Sequence, residues 1–161
     1  MKERTLIIIK PDALQRNLLG EVITRFERKG LKIIGLKMFS IDDTLIAEHY
    51  DHHKDKPFFE DLKKFMQSSP VAVMVLEGHS AINAVRLIVG PTTGREADAG
   101  SIRGDFSMSK GHNIVHASDS KETAEKEIYR FFNEDEIFNY QKLDFPAVYD
   151  ESERQEMDGA S

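Results

Sequence analysis

Thr5-Leu6-Ile7-Ile8-Ile9-Lys10-Pro11-Asp12-Ala13 is the stretch on which the fold turns. A short, unbroken, largely β-branched apolar run of this kind reads as a buried strand, and Pro11 stops it directly after Lys10. Downstream, Leu19, Val22, Ile23 and Phe26 recur at helical spacing, with Gly30 placed to end the helix. Leu31 to Phe39 alternates roughly, with Lys32 and Ile33 pointing opposite ways, and predicts a second strand.

The stretches Ile41 to His53 and Lys56 to Met66 form a helical hairpin in this reading, broken near Pro57 and stopped by Ser68-Ser69-Pro70. Val71 to Leu76 is a third strand, and Ala81, Ala84, Val85 and Ile88 define an amphipathic helix after it. Residues 90–112 are glycine-rich and have no period, so they are expected to form a long functional or interfacial loop. A short strand around Ile114-Val115 follows. Asp119 and Glu122 then make a reciprocal cap for a helix carrying Ala124, Ile128, Phe131 and Phe132. This order predicts an α+β domain: a ferredoxin-like split βαβ sandwich, its four-stranded antiparallel sheet covered by helices, with a helical-hairpin insertion and a long loop.

The chain has 161 residues and no cysteine, which excludes disulfides, thiol nucleophiles and Cys-containing zinc sites. Its length suits one domain, taken here as residues 1–150, followed by an acidic tail over 151–161. Five acids against Arg154 in residues 150–161 account for most of the net charge of −6, and this tail is expected to fray in solvent. The remaining body is nearly balanced in charge, so nucleic acid is not expected as the main partner. The four apolar residues Leu6 to Ile9 are too few for a secretory signal, and Val71 to Leu76 is too short to cross a bilayer. The expectation is a cytoplasmic protein with no membrane partner.

The densest reactive grouping is Asn113-Ile114-Val115-His116-Ala117-Ser118-Asp119, where a strand runs into a helix start. A neutral imidazole is nucleophilic near pH 7, and the small Ala117 leaves room for a bulky phosphoryl group. Ser118 can orient a carboxylate or the ring, and Glu127 lies two turns along the next helix, where it can stabilise an imidazolium. Alone, a histidine at a strand end is usually structural. It gains meaning from cations that could meet a phosphoryl group: Lys10 at the end of the first strand, Arg86 on the helix after the third, and Arg103 in the long loop. The sequence has no G-x-x-x-x-G-K-[ST] loop, no G-x-G-x-x-G after a strand and no protein-kinase catalytic set. His49, His52 and His53 lack the acidic partner at the spacing that a metal site needs.

Together, these segments resemble the nucleoside diphosphate kinase family. The likeness rests on Thr5 to Ala13, on His49-Tyr50 through Lys56-Pro57-Phe58-Phe59, on Ile102-Arg103-Gly104-Asp105-Phe106, and on Asn113 to Ser120. It implies that His116 is the phosphorylated histidine and that Ser118 and Glu127 orient it. Lys10, Tyr50, Arg86, Thr92, Arg103 and Asn113 match residues that hold the phosphates and sugar, and His53 matches a further phosphate contact. Phe58 matches the ring that stacks on the base. The implied reaction is ping-pong transfer of the γ-phosphate from a nucleoside triphosphate to a diphosphate, with Mg2+ carried by the nucleotide phosphates rather than by protein ligands. The resemblance also implies a homo-oligomer, tetramer or hexamer. Lys110 stands where the family usually has an apolar residue against the base, and Ala117 replaces the commoner glycine. The alternative reading is a non-catalytic nucleotide-binding regulatory domain of the same fold, although such a domain would not need the nucleophile.

Overall fold

The computed structural model describes residues 1–159. Strand β1 (Lys2–Ile9) leads into the short helix α1 (Pro11–Gln15) and then α2 (Leu19–Lys29), which packs its Val22 and Phe26 inward. Gly30 ends α2 at φ +96°, a left-handed cap that costs glycine nothing. Strand β2 (Lys32–Phe39) follows, then α3 (Asp43–His49) and α4 (Phe59–Met66), then β3 (Val71–His79) and α5 (Ala81–Val89). Helix α6 (Ile102–Phe106) precedes β4 (Val115–Ala117) and α7 (Lys121–Phe131), and the chain closes with α8 (Phe145–Val148) and α9 (Glu151–Asp158).

The strands of the described residues form one sheet in the order β2-β3-β1-β4, every neighbouring pair antiparallel. That is the split βαβ arrangement expected from the order of elements. Both faces of its centre are covered. Ile7, Ile9, Met74 and Leu76 pack with residues of α2 and α5, while Leu6, Ile8, Val73 and Val75 pack with residues of α3, α4 and α7. A strand sealed on both faces has no reason to alternate, which is why β1 and β3 read as continuous apolar runs.

Several local expectations are corrected. In β2 a bulge between Ile33 and Gly35 breaks the expected alternation, and Lys32 is buried. Its ammonium meets Glu77 at 3.4 Å and lies 4.7 Å from the ring of Tyr140. The hairpin is shorter than its apolar pattern suggests. Asp42 caps α3 by accepting from the N–H of Leu45, and Asp51–His53 is only a 3-10 turn. The cap of α7 is Ser120, whose Oγ accepts from the N–H of Thr123 at 3.1 Å, and not Asp119. The loop over 90–112 contains α6, too short to register as a period and anchored by the fully buried Ile102.

The acidic tail is helical through Asp158 instead of frayed. Asp150 and Glu153 make a reciprocal capping box, and Met157 is buried against the sheet end. Glu156 pairs with His79 at 3.0 Å and with the N-terminal ammonium at 3.5 Å. Residues 160 and 161 of the expected tail lie outside the described residues. Among the described residues, no helix is long and apolar enough to cross a membrane.

A buried histidine-carboxylate pair beside a cationic cleft

Register carries His116 to its site. It pairs with Ile8, so its side chain points to the sheet face covered by α3 and α7. There, His116 Nε2 lies 2.8 Å from Glu127 Oε2. The same oxygen receives the hydroxyl of Ser118 at 3.0 Å, and Ser118 Oγ itself accepts the N–H of Leu6 at 3.2 Å. Because the serine proton goes to Glu127, the carboxylate acts as a double acceptor, and His116 must supply the other proton from Nε2. That sets the tautomer and leaves the Nδ1 lone pair free, on a side chain that is one-quarter exposed.

His49 stands edge-on to His116, with ring centres 5.0 Å apart at 86°. Burial above all, then the neighbouring charge on His116 and on Arg130, holds its pKa far below the usual histidine value. His49, His116 and Glu127 bring potential ligand atoms within 4.8 Å of one another. The hydrogen bonding argues against a cation there. Arg130 donates to His49 Nδ1 at 3.2 Å, which puts the His49 proton on Nε2 and a guanidinium beside the cluster.

Lys10 enters from the end of β1. Its Nζ donates to Asn113 Oδ1 at 2.6 Å, and Asn113 Nδ2 donates in turn to the carbonyl of Thr92 at 2.9 Å. Burial, helped by the charge of Arg103 and opposed by Asp12, lowers the Lys10 pKa to about 8. Arg103 donates to the carbonyls of Asn113, Gly90 and Val115, tying the loop to β4. Its pKa falls to about 10, from burial first and then the charge of Arg86, yet it remains a cation at neutral pH. Arg86 and the side chain of Thr92 are exposed.

The far wall is the α3–α4 hairpin. Tyr50 is held protonated by burial and by the charge of Glu127, so its hydroxyl is a donor throughout the ordinary pH range. His53 lies next to Phe58, with ring centres 5.1 Å apart, and its Nδ1 is buried without a partner. Phe58 is 48% exposed at the start of α4, with the Lys56 ammonium 5.8 Å from its ring centre. Thus His116, Glu127 and Ser118 form one bonded chain, and Lys10, Asn113, Arg103 and the Thr92 carbonyl form another, brought together by the pairing of β4 with β1. Tyr50, His53 and Phe58 form a third group, reached through His49.

Two further participants, Ile114 and Asp12, have a role that only the fold reveals. Ile114 has φ +75°, unusual for a β-branched residue and worth about 1–3 kcal/mol of strain. It is held there by Asp12, whose Oδ2 accepts the Ile114 N–H at 3.0 Å, and by its own carbonyl, which accepts the Lys10 N–H at 2.9 Å. This kink starts β4 one residue later than expected. The presence of Asp12 two residues after Lys10 was legible, but its partner was not.

A family model described as nucleoside diphosphate kinase matches residues 3–137. The chain is 49% identical over 150 residues to a nucleoside diphosphate kinase of Methanobrevibacter smithii, covering 93% of this chain and 100% of that one. It is 52% identical over 147 residues to one of Parabacteroides distasonis, covering 91% and 96%. Among solved structures, it is similar to a nucleoside diphosphate kinase of Halobacterium salinarum in complex with CDP, with a TM-score of 0.90, 43% identity and coverage of 93% and 100%. A Babesia bovis protein described as of the nucleoside diphosphate kinase family superposes with a TM-score of 0.88 at 45% identity, covering 91% and 99%. With sequence and backbone agreeing along nearly its whole length, the chain belongs to the nucleoside diphosphate kinase family.

Proposed function

We propose that this chain transfers the terminal phosphate of a nucleoside triphosphate to a nucleoside diphosphate, with His116 carrying the phosphate between them. The observation that carries this reading is the Ser118–Glu127–His116 chain, which leaves Nδ1 as the free nucleophile. In the first half-reaction the Nδ1 lone pair forms a bond to the γ-phosphorus, and the bond from that phosphorus to the β–γ bridging oxygen breaks. The diphosphate leaves. The ring now carries positive charge, balanced by Glu127, while the Nε2 proton stays in place. In the second half-reaction a β-phosphate oxygen of the acceptor takes the phosphoryl group and restores the neutral imidazole.

Lys10, Arg103 and Arg86 neutralise the equatorial oxygens, and Tyr50 and Thr92 offer hydroxyl donors. Asn113 acts chiefly by aiming Lys10, since both ends of its amide are engaged. His53 is a further phosphate contact, and Phe58 stacks on the base, a contact that tolerates any base because each has a π face. A magnesium ion on the nucleotide phosphates supplies further charge neutralisation, and a cleft of cations suits a metal held by phosphate oxygens rather than by side chains. Every residue in these roles lies between Lys10 and Glu127, which supports residues 1–150 as the catalytic unit, and its substrates would be free nucleotides of the cytoplasm. Incubation with a γ-labelled triphosphate should yield a phosphoprotein that is stable in alkali and labile in acid, and that discharges its label to any added diphosphate. Nucleotide exchange without such an intermediate would replace this mechanism with direct transfer.

The same reading includes a homo-oligomer, a tetramer or hexamer. The long loop is fastened to its own chain, since Arg25 pairs with Asp105 at 2.7 Å and donates to the carbonyl of Gly100 at 2.9 Å. Support for assembly therefore comes from β2, an edge strand whose Leu36 and Met38 are 51% and 57% exposed. Sedimentation at micromolar concentration should show a multiple of the chain mass, and Leu36→Lys should lower the mass and the thermal stability together. A monomer with full activity would overturn this part.

A further inference from the structure

The walls of the cleft meet at one aromatic contact outside the residues already assigned. Phe65, on the last turn of α4, stacks on His112, near the end of the long loop, with ring centres 4.2 Å apart and planes within 10°. Phe65 lies two turns beyond Phe58 on the same helical segment. His112 immediately precedes Asn113, which aims Lys10.

The His112 backbone is built to present that ring. Its N–H, like that of Gly111, donates to Ser109 Oγ, and its carbonyl accepts from Ser107 Oγ at 3.0 Å. Ser107 is itself buried, and the N–H of Gly94 donates to the carbonyl of Ser109 at 3.1 Å, so the turn is tied back to the start of the loop. An exposed imidazole on an unsupported turn would sample many positions. This one is held at its base by a hydrogen-bonded turn and at its tip by a ring on the opposite wall.

We infer that His112 is a positioning residue for nucleotide binding, and that its stack on Phe65 sets the spacing between the hairpin bearing Phe58 and the loop bearing Thr92 and Arg103. The inference rests on the reading of this cleft as the nucleotide site. Without the stack, Met66 still anchors α4 to the core, but the ring contact that fixes its spacing from the loop is lost, and substrate binding must then set that spacing. Such a loss weakens binding of every nucleotide alike and leaves the His116–Glu127–Ser118 chain untouched.

The test is steady-state exchange kinetics on the full chain with four variants: His112→Ala, His112→Phe, Phe65→Leu, and Phe65→Leu with His112→Ala. His112→Ala is expected to raise KM for purine and pyrimidine diphosphates by roughly two- to tenfold, the range corresponding to one aromatic pair, with kcat changed by less than about twofold. His112→Phe should restore KM, because it keeps the stack and gives up only the nitrogens. The double variant should be no worse than the weaker single variant, since both remove the same contact. An unchanged KM for His112→Ala, additive effects in the double variant, or failure of His112→Phe to rescue would each overturn the inference. These outcomes are separable from failure of the nucleotide reading, in which the parent chain itself would show no exchange and no labelled His116.

Discussion

His116→Ala is expected to abolish phosphate exchange, with a loss on the order of 10⁴-fold or more, because His116 is the imidazole that Glu127 holds through Nε2 with Nδ1 left as the nucleophile. His49 is the nearest imidazole, but its Nδ1 accepts from Arg130 and its ring is buried, so it cannot take over. The fold should survive. Glu127 keeps its bond from Ser118, and the side chain removed is one of the more accessible in the cluster. Two measurements on one preparation decide the matter: exchange rate and thermal unfolding. A well-folded variant that retains more than about a tenth of the parent rate would remove His116 from the mechanism.

Lys10→Met should lower kcat/KM by about 10²–10³-fold, the usual cost of deleting one preorganised charge donor from a transition state. The substitution keeps the bulk of the side chain and removes its charge. The pH profile tests the same residue in the parent. With its pKa lowered to about 8 by burial and by Arg103, Lys10 is a cation below that pH and neutral above it. The kcat/KM of the free enzyme should therefore fall as pH rises through about 8. Bound phosphate favours the cation, so the corresponding fall in kcat should lie at higher pH. Lys10→Met should lose this alkaline limb. The linkage also gives a sign for stability. Between about 8 and the ordinary lysine value of 10.5 the folded chain binds fewer protons than the unfolded one, so the contribution of this group to stability rises with pH. Removing a desolvated cation should accordingly hold or raise the melting temperature, and a limb that persists in the variant would assign it to another group.

Much of the architecture was legible because its signals are local. The β1 and β3 runs, the spacing of Leu19, Val22 and Phe26, and Gly30 after them each speak within a few residues. The reading failed where tertiary contact overrode the local pattern. A bulge between Ile33 and Gly35 breaks the alternation of β2, Lys32 is buried where the sheet places Glu77 beside it, and α6 forms although five residues carry no period. In the acidic tail, the Asp150-x-x-Glu153 cap and the burial of Met157 outweigh the polar composition, since one buried side chain and a capping box are enough to dock two turns of helix.

For the site, the division follows distance along the chain. Residue types and spacing marked His116, Ser118 and Glu127 as a candidate grouping, because they lie within one strand-to-helix unit, and the resemblance to the family supplied their roles. Which imidazole nitrogen is free, what Lys10 is aimed by, and why Ile114 is kinked depend on pairs such as Lys10–Asn113 and Leu6–Ser118, separated by 103 and 112 positions. No pattern within a helical turn or a strand can encode such pairs. They are decided by the sheet order, which lays β4 beside β1 and thereby puts a lysine, a strained turn and a carboxylate-bound histidine into one cleft.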